Sequence, residues 1–212
     1  MIAVTTFERF VLPKVPGAPG PAVRDAIVKA AQEFCKLARI WQETMPAFDA
    51  IAGQSTYAIP TPNYGVAHGI EWLRYDGTVL DPIAAHDIDR DFPEWWDRTG
   101  QPECYLQLDA DVVQLVVTPE SNVGGGIVLR ATYMPEDFAD QVPTALFTQF
   151  RETMIHGAAY YLLEDPQKPW TNPELAGYHR QQFRSGIGSA DAVIVRGFRG
   201  APLRTRSRMR VN

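Results

Sequence analysis

The sequence predicts an α+β fold: an antiparallel bundle of three long helices, interrupted by an inserted antiparallel β-sheet or sandwich domain and flanked by extended termini. Three observations lead to this prediction. Apolar residues repeat with helical spacing over residues 22–45. Short strand-like runs separated by turn signals fill residues 46–142. Two further helical patterns, joined by a proline-rich connector, occupy residues 144–196.

These patterns divide the chain into four parts. Residues 1–20 are predicted to form an extended N-terminal arm, because proline and glycine accumulate toward its end. Residues 21–45 and 143–196 form the helical bundle, and residues 46–142 form the inserted β-domain. Residues 197–212 form an Arg-rich C-terminal tail. The strands lack an alternating strand–helix rhythm, which argues against a parallel doubly wound sheet.

The first helix is predicted to start at Pro21, because proline suits the first helical position, and to end before Pro46. Most of its charged residues lie off one apolar face, which is the pattern of an amphipathic helix. The residues of that face are Val23, Ile27, Ala30, Phe34, Leu37, Ala38 and Trp41.

The strand predictions rest on turn chemistry. Asp76-Gly77 is the turn signal of a hairpin that joins residues 70–75 to residues 78–80. A second hairpin is predicted from residues 104–108 to residues 112–118.

Three more elements complete the middle of the chain. Residues 51–60 predict two short strands about a Gly-containing turn, and residues 83–92 predict a short helix. The run Gly124-Gly125-Gly126 is interpreted as a flexible link to a strand over residues 127–133.

The last two helices are separated by residues 165–173. Pro166 forbids continuation of the first helix, while Asn172 is a favourable N-cap with Pro173 at the first position of the second helix. Helices joined by so short a connector normally pack antiparallel. Gly186 and Gly188 indicate a kink, a point of close packing or the end of the second helix. The predicted apolar faces are Phe147, Phe150, Met154, Ala158 and Tyr161, and then Leu175, His179, Phe183, Ile187, Ala190 and Ile194.

The net charge of −5 conceals an asymmetry. Residues 196–212 contain six of the 20 basic residues and no acidic residue, so residues 1–195 keep 14 basic against 25 acidic residues. The body therefore carries about −11 and the tail +6. A basic tail of this kind seeks an acidic protein surface or a nucleic acid.

Composition also bounds the class of protein. No apolar run approaches the roughly 20 residues of a membrane span, and the N-terminus lacks the pattern of a signal peptide, so we expect no membrane partner. Cys35 and Cys104 are isolated from each other, which fits two free thiols in a reducing compartment.

No pattern of residues points to catalysis. The four histidines (His68, His86, His156 and His179) are scattered without the spacing of a metal site. Asp87, Asp89 and Asp91 alternate as at the start of a calcium loop, but the required glycine and distal glutamate are absent. Ser185-Gly-Ile-Gly-Ser189 lacks the preceding strand and the lysine of a phosphate loop. We therefore predict no catalytic residue, no metal and no cofactor, and a protein that is not an enzyme.

Three interpretations of the tail remain open. It could serve only to solubilise the chain. Alternatively, the apolar residues among its arginines allow it to lie along a partner groove, with bidentate contacts to carboxylates. Direct binding to DNA phosphates is a third use, although the acidic body opposes it, so a protein partner ranks first. The candidate partner-binding residues are Arg196, Phe198, Arg199, Leu203, Arg204, Arg206, Arg208 and Arg210.

The order of motifs along nearly the whole chain resembles the head-to-tail connector (adaptor) proteins of short-tailed bacteriophages, of the tail tubular protein A type. No single motif is diagnostic. The motifs are Val23-Arg-Asp-Ala-Ile27, Glu33-Phe-Cys35, Trp41, Ala52-Gly53, Tyr57-Ala-Ile-Pro60, Trp72-Leu-Arg-Tyr-Asp-Gly77, Gly100-Gln-Pro-Glu-Cys-Tyr105, Tyr133-Met-Pro135, Lys168-Pro-Trp-Thr-Asn-Pro-Glu-Leu175, Tyr178-His179, Phe183, Arg196-Gly-Phe198 and Pro202-Leu-Arg204.

The resemblance implies a structural virion protein at the head–tail junction, present in the host cytoplasm before assembly. Twelve copies would form a ring beneath the portal protein ring and continue the DNA channel, through which DNA passes without sequence-specific binding. The far side would receive tail nozzle or tail-fibre proteins. The C-terminal extension of such proteins reaches along the portal, and this role is carried onto the arginine-rich residues named above.

A ring subunit needs large lateral interfaces, and aromatic residues dominate interface energetics. Trp95, Trp96 and Trp170 lie next to turns and are candidate subunit-interface residues, with ordinary core packing as the alternative. Two other functions also remain open at this point. One is an oligomeric ligand- or glycan-binding β-domain, and the other is an enzyme with a dispersed site built from residues such as His86, Asp87 and Asp89.

Overall fold

A computed structural model describes residues 1–91 and 94–196 of the chain. Helices make up 40% and strands 29% of this part. The helices are α1 (Thr5–Val11), α2 (Gly20–Ala38), α3 (Ala85–Asp91), α4 (Thr144–Thr148), α5 (Arg151–Glu164) and α6 (Pro173–Arg196), with a 3₁₀ turn at Leu12–Lys14. The strands are β1 (Ile2–Ala3), β2 (Gln42–Thr44), β3 (Phe48–Ala50), β4 (Thr56–Ala58), β5 (Gly65–Tyr75), β6 (Thr78–Pro82), β7 (Thr99–Gly100), β8 (Cys104–Asp109), β9 (Val112–Val116), β10 (Thr118–Pro119), β11 (Val123–Pro135) and β12 (Gln141–Val142).

The main body is a curled, mixed eight-stranded sheet that forms half of a barrel. Its strand order is β2-β11-β5-β6-β8-β9-β4, and β3 also pairs with β11. All neighbours are antiparallel except β6 and β8, which are parallel because the chain crosses over through α3 between them. Two small ladders, β1–β12 and β7–β10, lie outside this sheet.

Strand β11 joins the sheet to the helices. Its alternate residues Ile127, Leu129, Ala131 and Tyr133 are fully buried on the concave side. They belong to one continuous core that also contains the apolar faces of α2, α5 and α6. The Tyr133 hydroxyl donates a hydrogen bond to the Pro60 carbonyl at 2.8 Å, so even the polar end of this ring is satisfied in the core.

Helix α5 is enclosed between α2 and α6, which requires a small residue at the crossing. A Cβ atom on Gly157 would lie 2.7 Å from the Phe183 ring of α6 and 2.9 Å from Ala30 of α2. Gly186 of α6 likewise lies directly against Thr153 of α5. The glycines therefore allow three backbones to approach closely, and the chain does not break at Gly186, because α6 continues to Arg196.

The predicted fold class is wrong in its architecture. The helices do not form a bundle of three long helices with a separate antiparallel β-domain inserted; the body is the curled, mixed half-barrel, and helices pack on it. Helix α2 lies against β11 as well as α5. Periodicity indicated that α2 has an apolar face, but it cannot indicate whether a helix or a sheet covers that face.

The N-terminus is also not extended. Residues 5–11 are helical, and Phe7, Val11 and Val15 are fully buried in the core. The prolines and glycines that suggested an arm instead connect α1 to α2. The predicted C-terminal extension, residues 197–212, lies outside the described residues.

Two other boundaries differ from the predictions. Helix α2 ends at Ala38, because Arg39 adopts a left-handed conformation with φ of 49°, and Trp41 is buried just before β2. The glycine run predicted as a flexible link lies within β11. A Cβ on Gly126 would lie 2.8 Å from the Val123 side chain, which explains a glycine where the strand register shifts.

The local turn chemistry was predicted correctly. The β5–β6 hairpin turns at Asp76 and Gly77, whose φ angles of 45° and 77° are those of a tight primed turn. The Asn172 side chain accepts a hydrogen bond from the Leu175 amide at 3.1 Å and caps α6 as expected.

The crossing of α2, α5 and α6 gives a first prediction. Gly157→Ala should lower the free energy of unfolding by about 1–3 kcal/mol, because the added methyl group overpacks the contact with Phe183. Gly188→Ala, on an exposed and open part of α6, should raise it by up to about 1 kcal/mol. Urea unfolding followed by circular dichroism measures both. Equal stabilities of the two variants would contradict the packing described here.

Candidate assembly surfaces

The C-terminal helix α6 is attached firmly to the rest of the molecule. Glu33 of α2 accepts a hydrogen bond from the Tyr161 hydroxyl at 2.6 Å and pairs with Arg184 of α6 at 2.7 Å. Burial and this hydrogen bond to Glu33 raise the pKa of Tyr161. Near the end of α6, Asp191 lies 3.7 Å from Arg39. Helix α6 is therefore fixed relative to α2.

Arg196 is one of the predicted partner-binding residues, and its backbone forms the last position of α6. The others, Phe198, Arg199, Leu203, Arg204, Arg206, Arg208 and Arg210, lie outside the described residues, so their role stays a prediction.

The two adjacent tryptophans occupy different environments. Trp95 packs against a small apolar cluster on the convex face of β8 and β9, and its Nε1 donates a hydrogen bond to Asp89 at 3.0 Å. Trp96 is 58% exposed, and its ring lies 6.1 Å from that of Trp95 at an angle of 78°. Trp95 therefore anchors the turn, and Trp96 is the indole that remains exposed.

Trp170 lies in the connector between α5 and α6, half-buried against the main core. Its Nε1 is buried without a hydrogen-bond partner. The connector itself is held by Thr171, whose hydroxyl donates to the Asp165 carbonyl at 2.6 Å and accepts from the Lys168 amide at 3.0 Å. The burial of Trp170 favours packing as its main contribution in the single chain.

Phe138, which no sequence pattern singled out, is 86% exposed. Its φ of 64° places it in the left-handed region, which is unfavourable for a large side chain. Gln32 of α2 holds the preceding part of the loop, because its Nε2 donates to the Pro135 carbonyl at 3.1 Å and to Asp137 at 2.8 Å. An aromatic ring held outward at a conformational cost is typical of a contact residue. No pattern in the sequence distinguishes it from a core phenylalanine.

Charge is divided between the two halves of the fold. Residues 43–140, which include nearly the whole sheet, contain 17 acidic and four basic residues, a net charge of −13. The rest of residues 1–195, mainly helical, contains eight acidic and ten basic residues, a net charge of +2. The acidity that the sequence assigned to the whole body therefore belongs to the strand half.

A histidine pair joins α5 to α6. The Nδ1 atoms of His156 and His179 are 2.7 Å apart, so one ring donates a hydrogen bond to the other, and the exposed ring of Tyr178 stands against both. Burial, then the neighbouring His156 and Lys14, lower the pKa of His179 to about 4. Burial and Lys14 also lower the pKa of His156, although Glu152 opposes this. The pair is therefore neutral at pH 7.

The residues proposed for a dispersed enzyme site are engaged in ordinary surface contacts. His86 Nε2 lies 3.2 Å from Asp87, which also pairs with Arg90 at 2.8 Å, while Asp89 accepts the hydrogen bond from Trp95. Within residues 1–91 and 94–196, no three histidine, cysteine or acidic side chains converge in a way that could hold a metal ion.

A family model described as SU10 adaptor protein matches residues 8–206 of the chain. The chain belongs to the SU10 adaptor protein family. This membership agrees with the resemblance to phage head-to-tail adaptors, which is thereby confirmed. The adaptor has a structural role as a component of the phage virion, as its family indicates. No curated protein matches the chain. Across the described ranges of the adaptor, no helix is both long enough and apolar enough to cross a membrane.

The histidine pair gives a second prediction. Because the folded state lowers the pKa of His179 from 6.5 to about 4, its contribution to stability is complete above pH 6.5 and is lost as the pH falls toward 4. Between about pH 7 and pH 5, His179→Leu should therefore lose less unfolding free energy than the unsubstituted adaptor. The measurement is urea unfolding at both pH values.

Gly188→Ala is the matched control, since it changes an exposed position of the same helix without altering a titratable group. It should follow the pH dependence of the unsubstituted protein. If His179→Leu follows it as well, the neutral histidine pair does not contribute to the acid sensitivity of the fold.

Proposed function

We propose that the adaptor docks as a ring on the portal protein, extends the DNA channel and provides the attachment site for the tail. The observation that carries this proposal is the family match over residues 8–206, nearly the full chain. A ring that matches a twelve-subunit portal would contain twelve copies. Tail nozzle or tail-fibre proteins would bind its far side. Before assembly, the chain would reside in the host cytoplasm.

The division of charge supports different roles for the two halves of the fold within such a ring. The basic tail leaves the helical half, where α6 is anchored through Glu33 and Arg39. A segment with six arginines suits carboxylate-bearing grooves on a portal subunit, because guanidinium groups bind carboxylates in a bidentate manner. We infer that residues 196–212 supply the portal contact.

The acidic strand half supports passage of DNA without binding. A net charge of −13 over residues 43–140 repels phosphates, and this repulsion acts over roughly 8–10 Å at physiological ionic strength. A channel wall formed by this half would let DNA slide, whereas a basic wall would retain it.

Phe138 supports a further protein contact, at the loop that Gln32 of α2 holds. Its ring is exposed on a loop that Gln32 holds in place, so it is ordered before a partner arrives. Aromatic residues that need no reordering are effective anchors in interfaces. We infer that Phe138 inserts into an apolar pocket of a neighbouring virion protein.

The third prediction concerns the tail. A chain that ends at Arg196 should keep its unfolding transition but bind purified portal rings at least tenfold more weakly, as measured by co-sedimentation. Replacing Arg204, Arg206, Arg208 and Arg210 by lysine should restore only part of the affinity lost on replacing them by glutamine, because lysine lacks the bidentate geometry of arginine. Full binding by the truncated chain would exclude the tail from docking.

The fourth prediction concerns Phe138. Phe138→Asn should keep or raise the free energy of unfolding, by up to about 1 kcal/mol, because asparagine tolerates the left-handed conformation and the ring buries little surface. The same variant should reduce binding to portal rings or to tail proteins severalfold in pull-down titrations. Ile51→Asn, at another exposed apolar position, serves as a comparison for fold. A destabilised Phe138→Asn chain would show that the ring supports the fold instead.

A further inference from the structure

The convex face of the sheet carries a patch of basic and apolar side chains, although the strand half as a whole is acidic. Strand pairing places Arg130 beside Trp72, and places Arg74 between Val128 and Val79. Residues opposite each other in antiparallel strands project to the same face, so these five side chains form one surface. We call this surface, Trp72, Arg74, Val79, Val128 and Arg130, the convex patch.

The convex patch is suited to an acidic partner. The Arg74 guanidinium lies 5.0 Å from the centre of the Trp72 ring, which holds it in place. Neither Arg74 nor Arg130 forms an ion pair with any residue in the described ranges, and Arg130 Nε is buried without a hydrogen-bond partner. Val79 is 55% exposed beside them. Arg74 and Arg130 are two of the four basic residues in the sequence of the strand half, residues 43–140.

A complementary surface lies elsewhere on the same convex face. Residues 94–97 form a turn in which the Asp97 amide donates to the Glu94 carbonyl at 3.1 Å. Trp95 anchors this turn on β8 and β9, while Glu94, Trp96 and Asp97 are exposed. We call Glu94–Asp97 the acidic turn. It presents two carboxylates around an exposed aromatic ring, the counterpart of two guanidinium groups among apolar side chains.

Within one chain the two surfaces form no ion pair with each other in the described ranges. The convex patch covers β11, β5 and β6, whereas the acidic turn is fixed over β8 and β9, farther along the curled sheet. Two different surfaces of one chain that complement each other generate head-to-tail contacts, which close into a ring when the rotation permits.

We propose that the acidic turn of one adaptor copy docks on the convex patch of the next copy, and that this is the lateral contact of the adaptor ring. The proposal rests on the proposed function and adds the pairing of residues that builds the ring. Arg74 and Arg130 face Glu94 and Asp97 of the neighbouring copy, and Trp96 covers the aliphatic part of the patch. The occupant is a second copy of this chain.

Charge exchange tests this pairing. The patch variant is Arg74→Glu with Arg130→Glu, and the turn variant is Glu94→Arg with Asp97→Arg. Each alone brings like charges together at every lateral contact and should lower the number of copies retained on portal rings at least tenfold, as counted by native mass spectrometry. An equal mixture of the two variants should restore a full ring of alternating copies, because every contact then joins opposite charges. The chain that carries all four substitutions should also assemble with itself.

Controls separate this inference from the proposed function. Lys36→Glu with Lys168→Glu changes the charge as much as the patch variant, outside both surfaces, and should assemble normally. Unfolding curves show whether each variant is folded. Normal assembly of the patch variant or of the turn variant overturns the pairing, and so does failure of both the mixture and the fourfold variant. An unsubstituted adaptor that neither binds portal rings nor self-associates overturns the proposed function together with this inference.

Discussion

The structure depends on one strand, β11. Its concave side supplies the fully buried residues Ile127, Leu129, Ala131 and Tyr133, and its edges pair with β5 on one side and with β2 and β3 on the other. Helix α2 packs across it and carries α5 and α6 in turn. Register shifts along β11 bend the sheet, so the same strand sets the curl and joins the sheet to the helices.

This arrangement separates two kinds of surface on one rigid body. The helical half is nearly neutral and holds the start of the basic tail, whereas the strand half is strongly acidic. Because one continuous core connects the halves, the helices have a fixed orientation relative to the sheet. An adaptor between two assemblies needs this property, since it must present different chemistry to each side while keeping a constant geometry.

What the sequence could predict was local. Asp76-Gly77 and Asn172 were identified because their turn and cap chemistry acts within a few residues. The half-barrel was not predictable, because the parallel pairing of β6 with β8 and the packing of α2 on β11 depend on contacts distant in sequence. The candidate surfaces divide in the same way. Trp95 and Trp96 look equivalent as neighbours in sequence, and only tertiary packing partly buries the first and exposes the second. The exposure of Phe138 likewise became visible only in the folded structure.

We propose that this chain joins the phage portal to the tail as one subunit of a matched ring. The most direct test is the mass of the complex formed when the purified adaptor is mixed with portal rings, measured by light scattering after size-exclusion chromatography. We expect an increase that corresponds to one adaptor chain for each portal subunit. A stable small oligomer of the adaptor that leaves the mass of the portal ring unchanged would contradict it.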